Sequence, residues 1–368
     1  MKKVLYIIST LKRTGPTNIL AGTALNLDGR VFKPMVLTLS PEEDENNSWK
    51  QELQSKGIEV YSLNLSRIKG IFCAGRALKR KIEEIKPDII HTHCFRSAVY
   101  CALFVKGYKR VSEIHCDYEE DYALAYGGIK GAIMAKAFTW ALSSADKRVC
   151  CSQMLAAILR RKKPDVDYAY VNNGVDTEKF KPYDGDKAAL RRVLKLPQDK
   201  KIFIWAGVFI KRKDFPTLAK AVMALKEEKD FFVFCGDGPL LSEMQTMLDG
   251  QKNIMFTGFC PEIHKYLQAA DFYISTSLTE SFHLTVYEAL SCGLPVILSD
   301  IEAYSNLRGN EAVSFFKRGD YKELAKAIGI AAQEYSPAKR EAAVKMIRDS
   351  YSLQKMAEGY GDLYLNGL

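Results

Sequence analysis

The chain has 368 residues, 47% of them hydrophobic and 26% charged, with a formal net charge of +9. That supply of apolar side chains suits large buried cores and about two domains of ordinary size, and it excludes a disordered or fibrous protein. Nine cysteines scattered without a CxxC or a metal-ligand spacing exclude a disulfide scaffold and point to reduced thiols in a reducing compartment.

The opening MKKVLYIISTLKRTG places two lysines before an apolar stretch that is short for a signal peptide and lacks a small-residue cleavage site. It is expected to form the first strand. No apolar run approaches the roughly 20 residues of a membrane helix. Short runs rich in β-branched residues follow at 36–39, 58–63, 89–91, 111–114, 148–151 and 168–171, separated by longer amphipathic segments. This is the pattern of βα units around a parallel sheet. A polar, turn-rich stretch, NNGVDTEKFKPYDGD, puts a boundary near 172–186, and a second set of runs follows at 202–206, 231–235, 254–257, 272–275, 295–298 and 313–315. The expected fold class is α/β, with two doubly wound, Rossmann-like halves over 1–175 and 176–349 and a helical C-terminal segment at about 350–368.

The charge is unevenly spread. Residues 1–172 hold 27 Lys plus Arg against 18 Asp plus Glu, whereas residues 173–368 hold 26 of each. Two basic stretches stand out, RIKGIFCAGRALKRKIEEIK at 67–86 and LRRKKP at 159–164. They predict an anionic partner such as a lipid headgroup, a phosphorylated substrate or nucleic acid, with solvated helix faces as the alternative.

In open α/β sheets ligands bind beyond the carboxyl ends of the strands. Three such loops lie in the second half. FFVFC is followed by GDGPLLSEM, where Gly236 and Gly238 permit close backbone approach and Pro239 suits the start of a helix, whose bare amides favour phosphate. IFIWA is followed by GVFIKRKDF, which sets Gly207 and the cations Lys211, Arg212 and Lys213 at a strand end, where one of them would neutralise a diphosphate, with a solvated loop as the alternative. The third loop, TESFHL, carries Glu280 and leads into a segment whose only charge is Glu288. A buried carboxylate costs several kcal/mol unless something answers it, and carboxylates suit ligands rich in hydroxyls. Together the three loops describe a nucleotide-sugar pocket.

At these residues ESFHLTVYEALSCGLPVILSD resembles the E-x7-E signature of the retaining glycosyltransferases of family 4. Companion segments stand in the order that family shows: PDIIHTH, His115 after a strand, NNGVDTEKFKP, Gly207 with Lys213 six residues on, GDGPL and FTGF. The resemblance covers nearly the whole chain. It implies a GT-B fold, two Rossmann-like domains facing across a cleft, with acceptor on the N-terminal one, donor on the C-terminal one and the final helix returning to the first.

Carried over residue by residue, the resemblance makes Glu280 and His115 the catalytic contacts to the donor sugar and gives Glu288 the ribose hydroxyls. It gives Lys213, with Arg212, the diphosphate. Gly207, Gly236, Gly238, Ser281, Phe282, His283 and Leu284 would line the donor, and Gly15 and Asn18, in TGPTN, would belong to the loop that closes over donor and acceptor. The implied partners are a nucleotide-sugar, of which UDP-hexose is the commonest in the family, and a glycan or lipid-diphosphate-linked acceptor in bacterial-type surface polysaccharide synthesis. An anionic membrane surface would be a further partner, nucleic acid would not, and the expected location is cytoplasmic, peripheral on the inner face of the membrane.

No cofactor is expected, and donor binding is expected to be metal-independent. The DxD-like pairs Asp165/Asp167 and Asp184/Asp186 sit in connecting segments, and His91-Thr-His93 lacks a carboxylate or cysteine at ligand spacing. Three departures from the family pattern matter: Val208 where arginine is common, and Ser281 and His283 where glycines flank Phe282. They motivate the alternative of a non-catalytic sugar-nucleotide-binding subunit, beside an epimerase or hydrolase of the same fold.

Overall fold

A computed structural model describes residues 1–42, 44, 47–225, 229–331 and 336–368, with side chains described for all of these except 67–69, 71 and 72. The chain forms two compact units, Met1–Gly174 with Leu353–Leu368, and Val175–Ser352.

The N-terminal unit is built on seven strands, β1 (Lys2–Ile8), β2 (Phe32–Thr38), β3 (Glu59–Ser62), β4 (Ile89–His93), β5 (Lys109–Ile114), β6 (Lys147–Cys150) and β7 (Ala169–Tyr170). They pair in the order β3-β2-β1-β4-β5-β6-β7, all parallel. The C-terminal unit repeats the plan with β8 (Lys201–Ala206), β9 (Asp230–Cys235), β10 (Ile254–Gly258), β11 (Phe272–Ser275), β12 (Val296–Ser299) and β13 (Val313–Phe316), ordered β10-β9-β8-β11-β12-β13. Both sheets are of the Rossmann type, in which the strand order reverses at one point and opens a crevice at the carboxyl edge. Those switch points fall between β1 and β4 and between β8 and β11.

The strands read as continuous apolar runs because helices cover both faces of each sheet. Val4, Leu5, Tyr6 and Ile7 are all fully buried, and so are their counterparts Ile202 to Trp205. The C-terminal helix Leu353–Asn366 completes the first unit: Met356, Tyr360 and Tyr364 join the core formed by Val4, Tyr6, Ile19 and Val36. Gly22, on the helix Gly15–Asn26, allows this contact, since a Cβ there would lie 2.7 Å from the Leu353 side chain. All nine cysteines are free, and Cys150 and Cys151 are buried at the end of β6. Among the described residues no helix is long and apolar enough to cross a membrane.

The two basic stretches differ from their expected character. Lys162 and Lys163 of LRRKKP pair with Asp117, Glu120 and Glu119, so that patch is largely neutralised within its own unit. On the helix Arg67–Ile85, Lys79 and Lys81 pair with Glu83 and Glu84, while Arg76 and Arg80 are exposed. The side chains of Arg67 and Lys69 lie outside the described residues.

Candidate active site

In the C-terminal unit the loops after β8 and β11 flank the switch point and bring the predicted cations and carboxylate together. After β8 the chain runs through a single 3-10 turn, Lys211–Lys213, and reverses at Asp214, whose φ of +47° lies in the left-handed region that Asp tolerates better than most residues. The following helix, Phe215–Ala224, starts with Pro216, whose fixed φ suits a first turn. This turn directs Lys213 inward, where only 7% of it remains exposed. Its Nζ donates to Glu280 Oε1 at 2.6 Å and to His283 Nε2 at 2.9 Å. Glu280, 8% exposed, also accepts from Ser277 Oγ at 2.9 Å and lies 3.4 Å from Arg212. An ammonium has three N–H donors, so these two contacts leave one for a ligand.

The polar run Ser275, Thr276 and Ser277 is wholly buried, and it fastens the second loop in place. Thr276 donates to the Lys213 carbonyl at 2.7 Å, and the Ser277 carbonyl accepts from Ser299 at 2.6 Å. His283 stands at the start of the helix Leu284–Ser291 but does not cap it. Its ring turns inward, with Nδ1 2.7 Å from the Tyr304 hydroxyl and the Ser275 hydroxyl at 3.3 Å. Burial disfavours the charged form of this imidazole, the neighbouring Lys213 adds to that, and its pKa falls to about 3. Neutral His283 therefore accepts from Lys213. Burial alone would raise the Glu280 pKa, yet the charges of Lys213 and Arg212 and the hydrogen bond from Lys213 bring it down to about 2. The site holds a carboxylate and an ammonium as a desolvated pair.

Glu288 is the opposite case. It lies half-buried on the helix Leu284–Ser291, and among the described residues no hydrogen bond or ion pair reaches its carboxylate. Burial pushes its pKa up to about 7, against the weak pull of Lys179. Of the two carboxylates that the sequence isolates, the protein answers one and leaves the other without a partner. Phe282 stacks on Tyr287 at 4.2 Å between ring centroids and Leu284 packs on the core, both only partly buried, while Ser281 is buried.

The GDGP loop packs closely on the loop that follows β8. A Cβ on Gly236 would fall 1.8 Å from the Gly207 carbonyl, and one on Gly238 2.6 Å from the Phe209 nitrogen. The close approach that these glycines permit is that of one loop on another. Pro239 lies ahead of the helix Leu241–Met247, and the amides of Leu240 and Leu241 already donate to Phe209 and Gly238. Two of the amides at this helix start are thus engaged within the chain itself.

In the N-terminal unit a cavity of about 830 Å³ opens beyond the carboxyl ends of β1, β2, β4 and β5. Lys12, Ser40 and Arg96 form a polar part and Tyr122, Tyr126, Met134 and Phe138 an apolar part. Arg96 donates to Ser40 at 2.7 Å, while its Nη2 is buried without a partner among the described residues. His115 lines this cavity, with Nε2 3.3 Å from His93 Nδ1 and its pKa lowered to about 4 by burial. Gly15 begins the helix Gly15–Asn26 in open space, but the Asn18 amide oxygen accepts from Trp49 at 2.8 Å, so that side chain is committed within the fold. Sequence reasoning missed Arg96, Glu113 and Tyr304, since none stands in a motif; Glu113 is detectable only as a charge inside the apolar run of β5.

Known proteins share this fold. A family model described as Glycosyltransferase Family 4 matches residues 15–179, and one described as Glycosyl transferases group 1 matches residues 186–349. The Bacillus subtilis protein TuaC, named for teichuronic acid biosynthesis, is 28% identical over 250 residues, covering 67% of this chain and 62% of TuaC. The Escherichia coli UDP-Gal:alpha-D-GlcNAc-diphosphoundecaprenol alpha-1,3-galactosyltransferase is 24% identical over 260 residues, 65% of this chain and 64% of that protein. The chain thus spans somewhat less than two thirds of the length of these two curated relatives. The solved structure of Anabaena HepE in complex with UDP-glucose superposes with a TM-score of 0.82 over 100% of both chains at 18% identity, a likeness of fold. Two Rossmann-type sheets and these neighbours define the GT-B class of glycosyltransferase folds. The chain belongs to glycosyltransferase family 4.

Proposed function

We propose that the protein transfers a hexose, with retention of configuration, from a UDP-sugar to a glycan or lipid-diphosphate-linked acceptor in surface polysaccharide synthesis. The buried Lys213–Glu280 pair, with one ammonium donor to spare, carries this reading. Lys213 and Arg212 take the diphosphate and stabilise it as leaving group, Glu280 meets the positive charge that grows on the sugar, and Glu288 accepts from the ribose hydroxyls. His115 is the sugar contact supplied by the N-terminal unit, whose cavity suits an acceptor with an anionic and an apolar part. The names of the relatives, a galactosyltransferase acting on a diphosphoundecaprenol and a teichuronic acid glycosyltransferase, support the acceptor class.

The test is a thermal-shift screen of UDP-, GDP- and ADP-sugars, followed by transfer of labelled sugar to lipid-diphosphate acceptors with product anomers assigned by NMR. A ligand at 100 times its dissociation constant adds about 2.7 kcal/mol of stability. Binding of a UDP-sugar without any transfer would favour the non-catalytic subunit. Donor affinity is expected to survive EDTA, because the cations of the site are side chains; affinity that vanishes in EDTA and returns with Mn²⁺ would overturn this part.

Glu288 gives the reading a pH signature. With its pKa near 7, the free site holds a large fraction of protonated Glu288 at neutral pH. Nucleotide affinity is therefore expected to increase as pH rises through about 7, when the carboxylate becomes a full acceptor for the diol. Glu288→Gln should flatten that profile and Glu288→Ala weaken UDP binding by about 1–3 kcal/mol, measured by calorimetry. The same shift works in the other direction on stability: a folded-state pKa above the unfolded one favours the fold at low pH, and that contribution is lost as pH rises from about 4.5 to about 7.

Membrane attachment belongs to the N-terminal unit in this proposal. Besides Arg76 and Arg80, the helix pair Tyr118–Tyr126 and Gly128–Ser143 exposes Leu124, Ile129, Ile133 and Trp140. Sedimentation with anionic vesicles should show binding that weakens with salt, at about 1 kcal/mol per cation near the surface. Equal binding to neutral vesicles would assign the attachment to the apolar residues alone.

A further inference from the structure

A second polar cluster lies in the core of the N-terminal unit. His91 and His93 alternate along β4 and so share one face of the sheet, and Glu113 stands opposite His93 on β5. The side chains of all three are fully buried. Glu113 Oε2 lies 3.5 Å from His91 Nε2 and 3.2 Å from His93 Nδ1, while Oε1 lies 3.6 Å from His115 Nδ1. One ligand atom from each of His91, His93 and Glu113 falls within 4.8 Å of the others. The carboxylate that the His-Thr-His motif lacks in sequence is supplied by the neighbouring strand.

Three observations indicate what occupies the centre of this cluster. His91 Nε2, which faces Glu113, is buried without a hydrogen-bond partner among the described residues, and such an atom in a native core calls for a ligand, an ion or ordered water. The tautomer of His91 follows from its outer contact. The Tyr364 hydroxyl donates to Tyr6 at 3.2 Å, so at 2.7 Å it accepts from His91 Nδ1–H, and Nε2 keeps a lone pair facing Glu113. Two lone pairs opposed at 3.5 Å repel unless something positive lies between them, and among the described residues Glu113 pairs with no lysine or arginine. The spacing also fits, because four ligands at about 2.1 Å from a tetrahedral zinc ion stand about 3.4 Å apart.

We propose that His91, His93 and Glu113 bind one divalent ion of the zinc class, with a water molecule from the adjoining cavity as the fourth ligand. Imidazole and carboxylate donors suit zinc, and the Tyr364 contact is the kind of outer hydrogen bond that fixes a ligating histidine. The cavity lined by Glu113 and His115 gives the ion its entrance. Such an ion would tie β4 to β5 beneath the C-terminal helix.

The experiment uses the full chain without a histidine tag, expressed with added zinc and dialysed against metal-free buffer. Elemental analysis is expected to give about one zinc per chain, and replacement by Co²⁺ the visible bands of a four-coordinate site. Those bands should be lost in Glu113→Gln, with folding followed by far-UV circular dichroism. If that variant does not fold, X-ray absorption of the zinc-loaded wild type decides: imidazole scattering in a nitrogen and oxygen shell at about 2.0–2.1 Å supports the site. A wild type that retains no stoichiometric metal after reloading, or a shell without imidazole, overturns it; a carboxylic-acid band in the infrared that disappears in Glu113→Gln would then show that a proton occupies the position.

Discussion

Glu280→Gln is expected to lower kcat by about 100- to 1,000-fold while changing the affinity for UDP only several-fold. The amide keeps the shape and the contact to Ser277, but it removes the negative charge that opposes the cationic sugar of the transition state. Lys213 then loses the carboxylate that competes with a diphosphate for its protons, so ground-state affinity has no reason to fall with turnover. The variant should also melt at a lower temperature, because a buried ammonium is left less well compensated. Steady-state kinetics on the identified donor checks this, and a variant with raised KM and wild-type kcat would mean that Glu280 serves ground-state binding alone.

Lys213→Met is expected to give the converse pattern. It removes a charge-assisted hydrogen bond to the diphosphate worth roughly 1.5–3 kcal/mol, so UDP should bind about 10- to 150-fold more weakly. Uridine, which lacks phosphate, should bind as before. Glu280 retains Arg212 and Ser277, so this variant is expected to fold. Calorimetry with the two ligands separates the cases: an equal loss for uridine and UDP would show a damaged pocket and remove Lys213 from the diphosphate role.

Much of this architecture is legible from apolar runs. Each expected strand overlaps an observed one, since in a parallel sheet covered on both faces a strand must be apolar throughout and flanked by turns. The boundaries are less legible. β4 runs to His93, beyond the expected end at His91, because the polar residues there continue the ladder with β5. The pairing of Lys213 with Glu280 follows from the two loops flanking a switch point, a property of strand order that no local motif encodes. Spacing also cannot reveal every surface a glycine approaches: Gly236 and Gly238, expected at the donor, lie close against the backbone of Gly207 and Phe209 in the neighbouring loop. The same limit hides Glu113, since the ligand that completes His91 and His93 is adjacent only across the sheet.

The return of the C-terminal helix to the first unit has a consequence for biosynthesis. A ribosome delivers residues 1–174 long before it delivers Met356, Tyr360 and Tyr364, which belong to the same core. The nascent first unit must therefore wait, with one flank of β1 and β4 uncovered, while the whole of the second unit emerges and folds. These contacts, such as Tyr6 with Tyr364, have among the largest sequence separations in the chain, and closing them is a late and slow event. The N-terminal unit is thus finished only after the C-terminal unit has been translated, and until then its exposed apolar flank is a target for chaperones.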